Sequence, residues 1–221
     1  MARTSEDIKK DIIDNLYWDA RVDASDINVD VQSGDVTLLG TVPSFLAQQA
    51  ALEDTRSVKG VAGIDSRIEV RQLQTVPAAA DTADHIRDLY LWDPALAEQN
   101  ILVSADAGVV TLEGTVDAAW KKLRAETKAL GVTGVHSVTN DLAVVPTMSV
   151  LDETIADDVL DALRRSSNVD ETEISVTVEN GTVTLTGTVP TWIARNAAFD
   201  AALYTDGVVD VVDNLVIESL Y

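Results

Sequence analysis

A nine-residue segment that occurs three times constrains this chain more than any other feature. Gly34-Asp-Val-Thr-Leu-Leu-Gly-Thr-Val42 recurs as Gly108-Val-Val-Thr-Leu-Glu-Gly-Thr-Val116 and Gly181-Thr-Val-Thr-Leu-Thr-Gly-Thr-Val189, at offsets of 74 and 73 residues. The offsets persist downstream: Gly60-Val61 matches Gly134-Val135 and Gly207-Val208, while Ile68 and Val70 match Leu142, Val144 and Leu215, Ile217. A period that long marks a whole structural unit used three times. The 221 residues are therefore expected to form three units, at 4–72, 79–146 and 150–219, with linkers near 71–81 and 145–151.

Within each unit the hydrophobic period changes along the chain. Ile8, Ile12, Ile13 and Leu16, like Ile155, Val159, Leu160 and Leu163, follow a helical spacing, and Ile86, Leu89 and Tyr90 keep a weaker version of it. Strict alternation follows at Ile27, Val29, Val31 and again at Val36, Leu38, Gly40, Val42, with equivalents in the other copies. The turns between these runs, Ser33-Gly34, Ala107-Gly108 and Asn180-Gly181, supply the glycine that tight hairpins demand. Ser44, Asp117 and Thr191 are positioned to cap a second helix, predicted over 43–57, 117–130 and 190–204, and a third strand follows the Gly-Val pair. The order α-β-β-α-β makes the third strand parallel to the second. The fold class is α+β: three tandem units, each a small three-stranded mixed sheet with two helices on one face. Thr37, Thr41, Thr111, Thr115, Thr184, Thr186 and Thr188 alternate with the apolar positions and are expected on the opposite face, exposed or between units.

This order and these motifs resemble the BON domain, found in bacterial osmotically induced and envelope proteins, over almost the entire chain and three times. The chain is similar in particular to leaderless triple-BON proteins, which share a Trp-Asp pair at the end of the first helix, here Trp18-Asp19 and Trp92-Asp93. The third copy departs with Arg165-Ser166, and the second has Asp117 where the others have proline. The resemblance implies non-catalytic binding, often of phospholipid surfaces, and a part in stress protection.

Composition narrows the chemistry. Sixteen Lys and Arg stand against 37 Asp and Glu, a net charge of −21 that repels phosphate backbones and argues against nucleic-acid binding. Acidity peaks in the third copy, where residues 149–221 carry 3 basic and 14 acidic side chains. With no cysteine, thiolate metal sites and cysteine nucleophiles are excluded. Asp23-Ala-Ser-Asp26 and Asp170-Glu-Thr-Glu173 lack the spacing of a calcium loop, and His85 and His136 have no ligand partners at a supporting spacing. No nucleophile elbow, phosphate loop or dinucleotide-binding glycine pattern occurs. The expectation is a protein without catalysis, cofactor or metal. No apolar stretch has the length of a signal peptide or membrane span, which as the sequence stands implies a cytoplasmic location, or a periplasmic one were a leader removed.

The remaining candidates are aromatic and basic. Trp18, Trp92, Trp120, Trp192 and Phe45 fall at helix ends or first turns, where they are expected to cover the small cores, with contact to a partner or lipid interface as the alternative. Phe45, Trp192 and Trp120 are the aromatic candidates for such contact. Lys121, Lys122, Arg124 and Lys128 form the one basic cluster able to meet an anion, with a solvated helix face the plainer reading. Two partners are carried forward: a phospholipid surface met peripherally, and another protein or a second copy of the chain.

Overall fold

The computed structural model describes residues 3–71, 79–167, 169 and 171–218. Most of the linker expected at 71–81, and Asp170 of the second acidic run, lie outside them. The first repeat consists of α1 (Ser5–Trp18), β1 (Ile27–Gln32), β2 (Asp35–Val42), α2 (Phe45–Ser57) and β3 (Gly63–Val70). The second has α3 (Ala79–Leu91), β4 (Asn100–Asp106), β5 (Val109–Val116), α4 (Ala119–Leu130) and β6 (Ser137–Val144). The third has α5 (Asp152–Arg165), β7 (Ile174–Glu179), β8 (Thr182–Val189), α6 (Trp192–Leu203) and β9 (Asp210–Ile217). Each sheet is ordered with its second strand in the middle. In the first two repeats that strand is antiparallel to the strand before it and parallel to the one after, as the crossover requires.

Both glycines of the repeated segment have a physical reason. At the hairpin, Ser33 and Gly34 have φ of 52° and 90°, Ala107 and Gly108 46° and 83°, and Asn180 and Gly181 51° and 75°. Two consecutive positive φ values make a type I′ turn, whose twist matches the strands it joins. Farther along the strand, a Cβ on Gly40 would sit 1.9 Å from the Asp26 carbonyl oxygen, and at Gly114 and Gly187 the equivalent clashes are 2.1 and 2.0 Å. The chain entering the first strand thus passes so close that only glycine fits there. The turn is tied to the residue just before the third strand, since the carbonyls of Gly34, Gly108 and Gly181 accept from the amides of Ala62, His136 and Val209 at 2.8–3.0 Å.

One sheet face carries the core. Ile8, Ile12 and Leu16 of α1 and Ala47, Ala50 and Ala51 of α2 pack with Val29, Val31, Val36, Leu38, Val42 and Ile68 of the sheet. The second repeat matches this with Ile86, Tyr90, Ala125, Ala129, Val110, Leu112 and Val116. Leu38, Leu112 and Leu185 are fully buried at one equivalent position, where truncation to alanine costs about 2–5 kcal/mol. The threonine face is half-buried at Thr37, Thr41, Thr111, Thr115 and Thr184 and exposed at Thr186 and Thr188.

Caps follow the expectation in part. Thr4 and Asp7 form a reciprocal capping box on α1, and Ser44 accepts from the Ala47 amide at 3.2 Å. Asp117 does not cap α4, whose N-cap is Ala118. Its carboxylate is taken by Lys121 at 2.7 Å. By density of contacts the three repeats make two compact units. One holds the first repeat together with Pro190–Ile193, and the other the second repeat with most of the third.

Candidate functional site

The five residues expected to make external contact are engaged inside the molecule to different degrees. Phe45 and Trp192 are the first residues of α2 and α6, and both are half-buried. Trp192 packs against the core of the first repeat, and the Arg56 guanidinium lies 5.3 Å from the centre of its ring, all within the first compact unit. Trp120 is half-buried with its ring 6.1 Å from that of Tyr204, and the Lys121 ammonium lies 5.6 Å from the indole. The basic cluster is largely neutralised. Lys121 pairs with Asp117, while Arg124 and Lys128 pair with Asp93 at 2.7 and 3.1 Å. Lys122 has no carboxylate within ion-pair distance among the described residues.

Trp18 and Trp92 correct the expectation of burial. They are 80% and 87% exposed, at the last turn of α1 and just beyond α3. Tyr17 is also exposed, with its ring 5.4 Å from that of Trp18 in an edge-to-face contact, and Leu91 stands exposed beside Trp92. The reason lies in the helix period. Leu16 and Tyr90 are the last buried residues of their helices, and a residue two positions on lies about 200° round the axis, facing outward. That phase was readable in the spacing of Ile8, Ile12 and Leu16.

The Trp-Asp pair therefore splits, with the indole outward and the carboxylate inward. The Asp93 side chain is 1% exposed beneath Arg124 and Lys128, and its hydrogen bond from Arg124, above all, holds its pKa down to about 2. These cations also offset the poor placement of a carboxylate near a helix C-terminus. In the first repeat Asp19 is bound by Arg21, and the position equivalent to Lys128 holds Asp54. Burial, with the charge of Asp19 second, lifts Asp54 to about 6. The third repeat has Ser166 and Ala201 at these places.

The histidines stay apart. His136 has Nε2 2.9 Å from the Ala107 carbonyl beside the turn, and His85 is exposed on α3. Among the described residues no three His, Asp or Glu are grouped to hold a metal ion, and no helix is long and apolar enough to cross a membrane.

The family model of the BON domain matches residues 4–72, 78–146 and 151–219. This chain belongs to the BON family. Among relatives, the chain is 34% identical over 126 residues to the osmotically-inducible protein Y of Escherichia coli strain K12, covering 55% of this chain and 63% of that protein. It thus covers less than two thirds of that relative's length. Two solved structures of CdsD, a structural protein of the Type III secretion system of Chlamydia trachomatis, match 96% and 98% of this BON chain and 92% and 100% of their own. Both are 13% identical with a TM-score of 0.27, too loose a superposition to bear on fold or function.

Proposed function

We propose that this BON protein is a non-catalytic binding protein of bacterial osmotic stress that attaches peripherally to phospholipid surfaces through Trp18 and Trp92. The observation that carries the reading is the exposure of both indoles at equivalent helix ends, each beside a second exposed apolar side chain. Tryptophan is favoured at the membrane–water boundary because its ring is apolar and its N–H polar. The relative named for osmotic induction supports the stress setting. Electrostatics selects the surface. At −21, with three of the four clustered cations paired, the protein is repelled by anionic leaflets, and each basic contact it lacks there forgoes about 1 kcal/mol. Zwitterionic surfaces, or anionic ones bridged by divalent cations, are the favoured targets.

Vesicle flotation tests this. The chain is expected to float with phosphatidylcholine vesicles, and with phosphatidylglycerol vesicles only in high salt or Ca²⁺. Capture should vanish in Trp18→Ala/Trp92→Ala while the circular dichroism spectrum is unchanged. Failure of the wild type to float on any vesicle would sink the lipid reading. Self-association is the second reading, favoured by exposed Leu102 on β4 and Val216 on β9, both edge strands. It predicts a concentration-dependent mass in light scattering that is indifferent to lipid.

A further inference from the structure

Asn180-Gly181, the turn of the third hairpin, is the one Asn-Gly pair in the chain. The pair is chemically labile, because glycine has no side chain to hinder its nitrogen from attacking the asparagine side-chain amide. Asn180 is exposed, and it borders an open cleft of about 450 Å³ between the turn and the 146–152 segment, room enough for the water that such a reaction consumes. The nitrogen that would attack is nevertheless gripped. Asp152, in the first turn of α5, accepts from the Asn180 amide at 2.8 Å through Oδ2 and from the Gly181 amide at 2.9 Å through Oδ1. The Gly181 carbonyl in turn accepts from the Val209 amide at 2.8 Å. Gly181 is buried, and a Cβ added there would lie 2.8 Å from Val209 Cγ2 and 3.0 Å from the Gly207 carbonyl oxygen.

The other repeats have neither half of this arrangement. The repeat offsets put Ser33 and Ala107 at the position of Asn180, and Ser5 and Ala79 at that of Asp152. The carboxylate thus stands only where the labile amide stands. Its effect follows from what the reaction demands. The Gly181 nitrogen must lose its proton and swing toward Cγ of Asn180. Asp152 opposes the first by holding that proton in a charge-assisted bond and by placing a negative charge where an amide anion would form. It opposes the second because rotating the peptide plane between Asn180 and Gly181 breaks the bond to Asp152 and pulls Gly181 away from Val209.

We propose that Asn180 is a deamidation site that Asp152 keeps closed, so that it reacts only when the third hairpin turn opens. In the open turn the Gly181 nitrogen gives its proton to hydroxide and bonds to Cγ of Asn180, the Cγ–Nδ2 bond breaks, and ammonia leaves a cyclic imide. Water then opens the ring at either carbonyl, yielding aspartate or isoaspartate. Isoaspartate adds a backbone methylene that a two-residue turn cannot hold, and aspartate adds a second carboxylate near Asp152. Either product weakens the turn, which makes the reaction a one-way record of opening. The site uses neither Trp18 nor Trp92, so its test is independent of the membrane reading.

The test is incubation of the full chain in mildly alkaline buffer, with peptide mass spectrometry separating the asparagine, aspartate and isoaspartate forms at position 180. Conversion in the folded wild type is expected to be about tenfold or more slower than in the same chain unfolded in urea. Asp152→Ala should speed the folded-state reaction about tenfold or more, since two charged hydrogen bonds are lost. Glu153→Ala, the same charge change at an exposed neighbour, should alter it less than about twofold. Hydrogen exchange of the β8 amides is expected to be unchanged in Asp152→Ala, which marks release of the turn alone. Ser33→Asn builds an Asn-Gly turn in the first repeat with Ser5 in place of Asp152, and its new asparagine should convert about tenfold or more faster than Asn180 of the same molecule. That comparison leaves Asp152 untouched and still decides the matter should Asp152→Ala fail to fold. Equal rates in folded and unfolded wild type, equal rates in the two alanine variants, equal conversion of the two asparagines in Ser33→Asn, or acceleration in Asp152→Ala only in step with β8 exchange would each overturn the proposal.

Discussion

Asp54 and Asp93 stand on equivalent helix seams and titrate in opposite senses because Asp54 is desolvated, with a second carboxylate beside it, whereas Asp93 is held by cations. Asp54, lifted to about 6 in the folded chain, holds its proton more tightly there than in the unfolded chain, whose carboxyl titrates near 3.8. The folded state then binds more protons between these values, so stability falls as pH rises through about 4 to 6. Asp54→Asn should raise the melting temperature at pH 7 and flatten the profile in that window, as read by thermal denaturation. For Asp93, held down to about 2, the sign reverses. Its contribution is complete above about 4 and is lost as pH falls toward 2. Asp93→Asn should cost about 1 kcal/mol at neutral pH in urea unfolding, since Arg124 and Lys128 are partly solvated and screen the pair. A larger loss under acid than at neutrality would contradict this assignment. Neither behaviour could be read from the sequence, where Asp54 and Asp93 are two among 26 aspartates. The repeat offset aligns Asp54 with Lys128, but which side chain crosses the seam depends on how the helices lie.

At the scale of the element, the hairpins differ in how well their residues suit one turn. All three first turn positions have positive φ, yet they are occupied by Ser33, Ala107 and Asn180. Asparagine tolerates the left-handed region through local hydrogen bonding, whereas alanine meets its full steric cost. Ala107→Asn should therefore stabilise the second repeat by about 0.5–1 kcal/mol in chemical denaturation, with no change in m-value. No gain, or a loss, would mean that the Ala107 methyl makes a compensating contact. The strands and turns were legible because period-two alternation and glycine placement are local properties. The helices were legible too, but α2, α4 and α6 start two residues later than the expected 43, 117 and 190. Pro43 and Pro190 precede the helices instead of occupying the first turn, with Ser44 as the cap of α2.

For the whole molecule, a charge of −21 is a distributed repulsion that folding concentrates. Salt should relieve it, raising the melting temperature by several degrees between about 0.05 and 0.5 M NaCl. An unchanged melting temperature would show that surface pairs such as Arg21–Asp19 and Arg195–Asp213 already balance the field. Trp192→Ala should destabilise the first compact unit, because the ring belongs to that unit's packing. Hydrogen exchange of the first repeat would detect the change.

Sequence alone determined the threefold repeat, the α-β-β-α-β order, the hairpin glycines and the buried stripe of each helix. Each is written in neighbouring residues, through periodicity and the φ values a turn allows. Tertiary structure decided the use of the charged and aromatic side chains: Lys121, Arg124 and Lys128 turned inward to carboxylates, Trp192 enlisted in the first repeat's packing, and Trp18 and Trp92 left in solvent. Long side chains reach across elements, and their partners are set by how helices pack, a relation that no local pattern in the chain records.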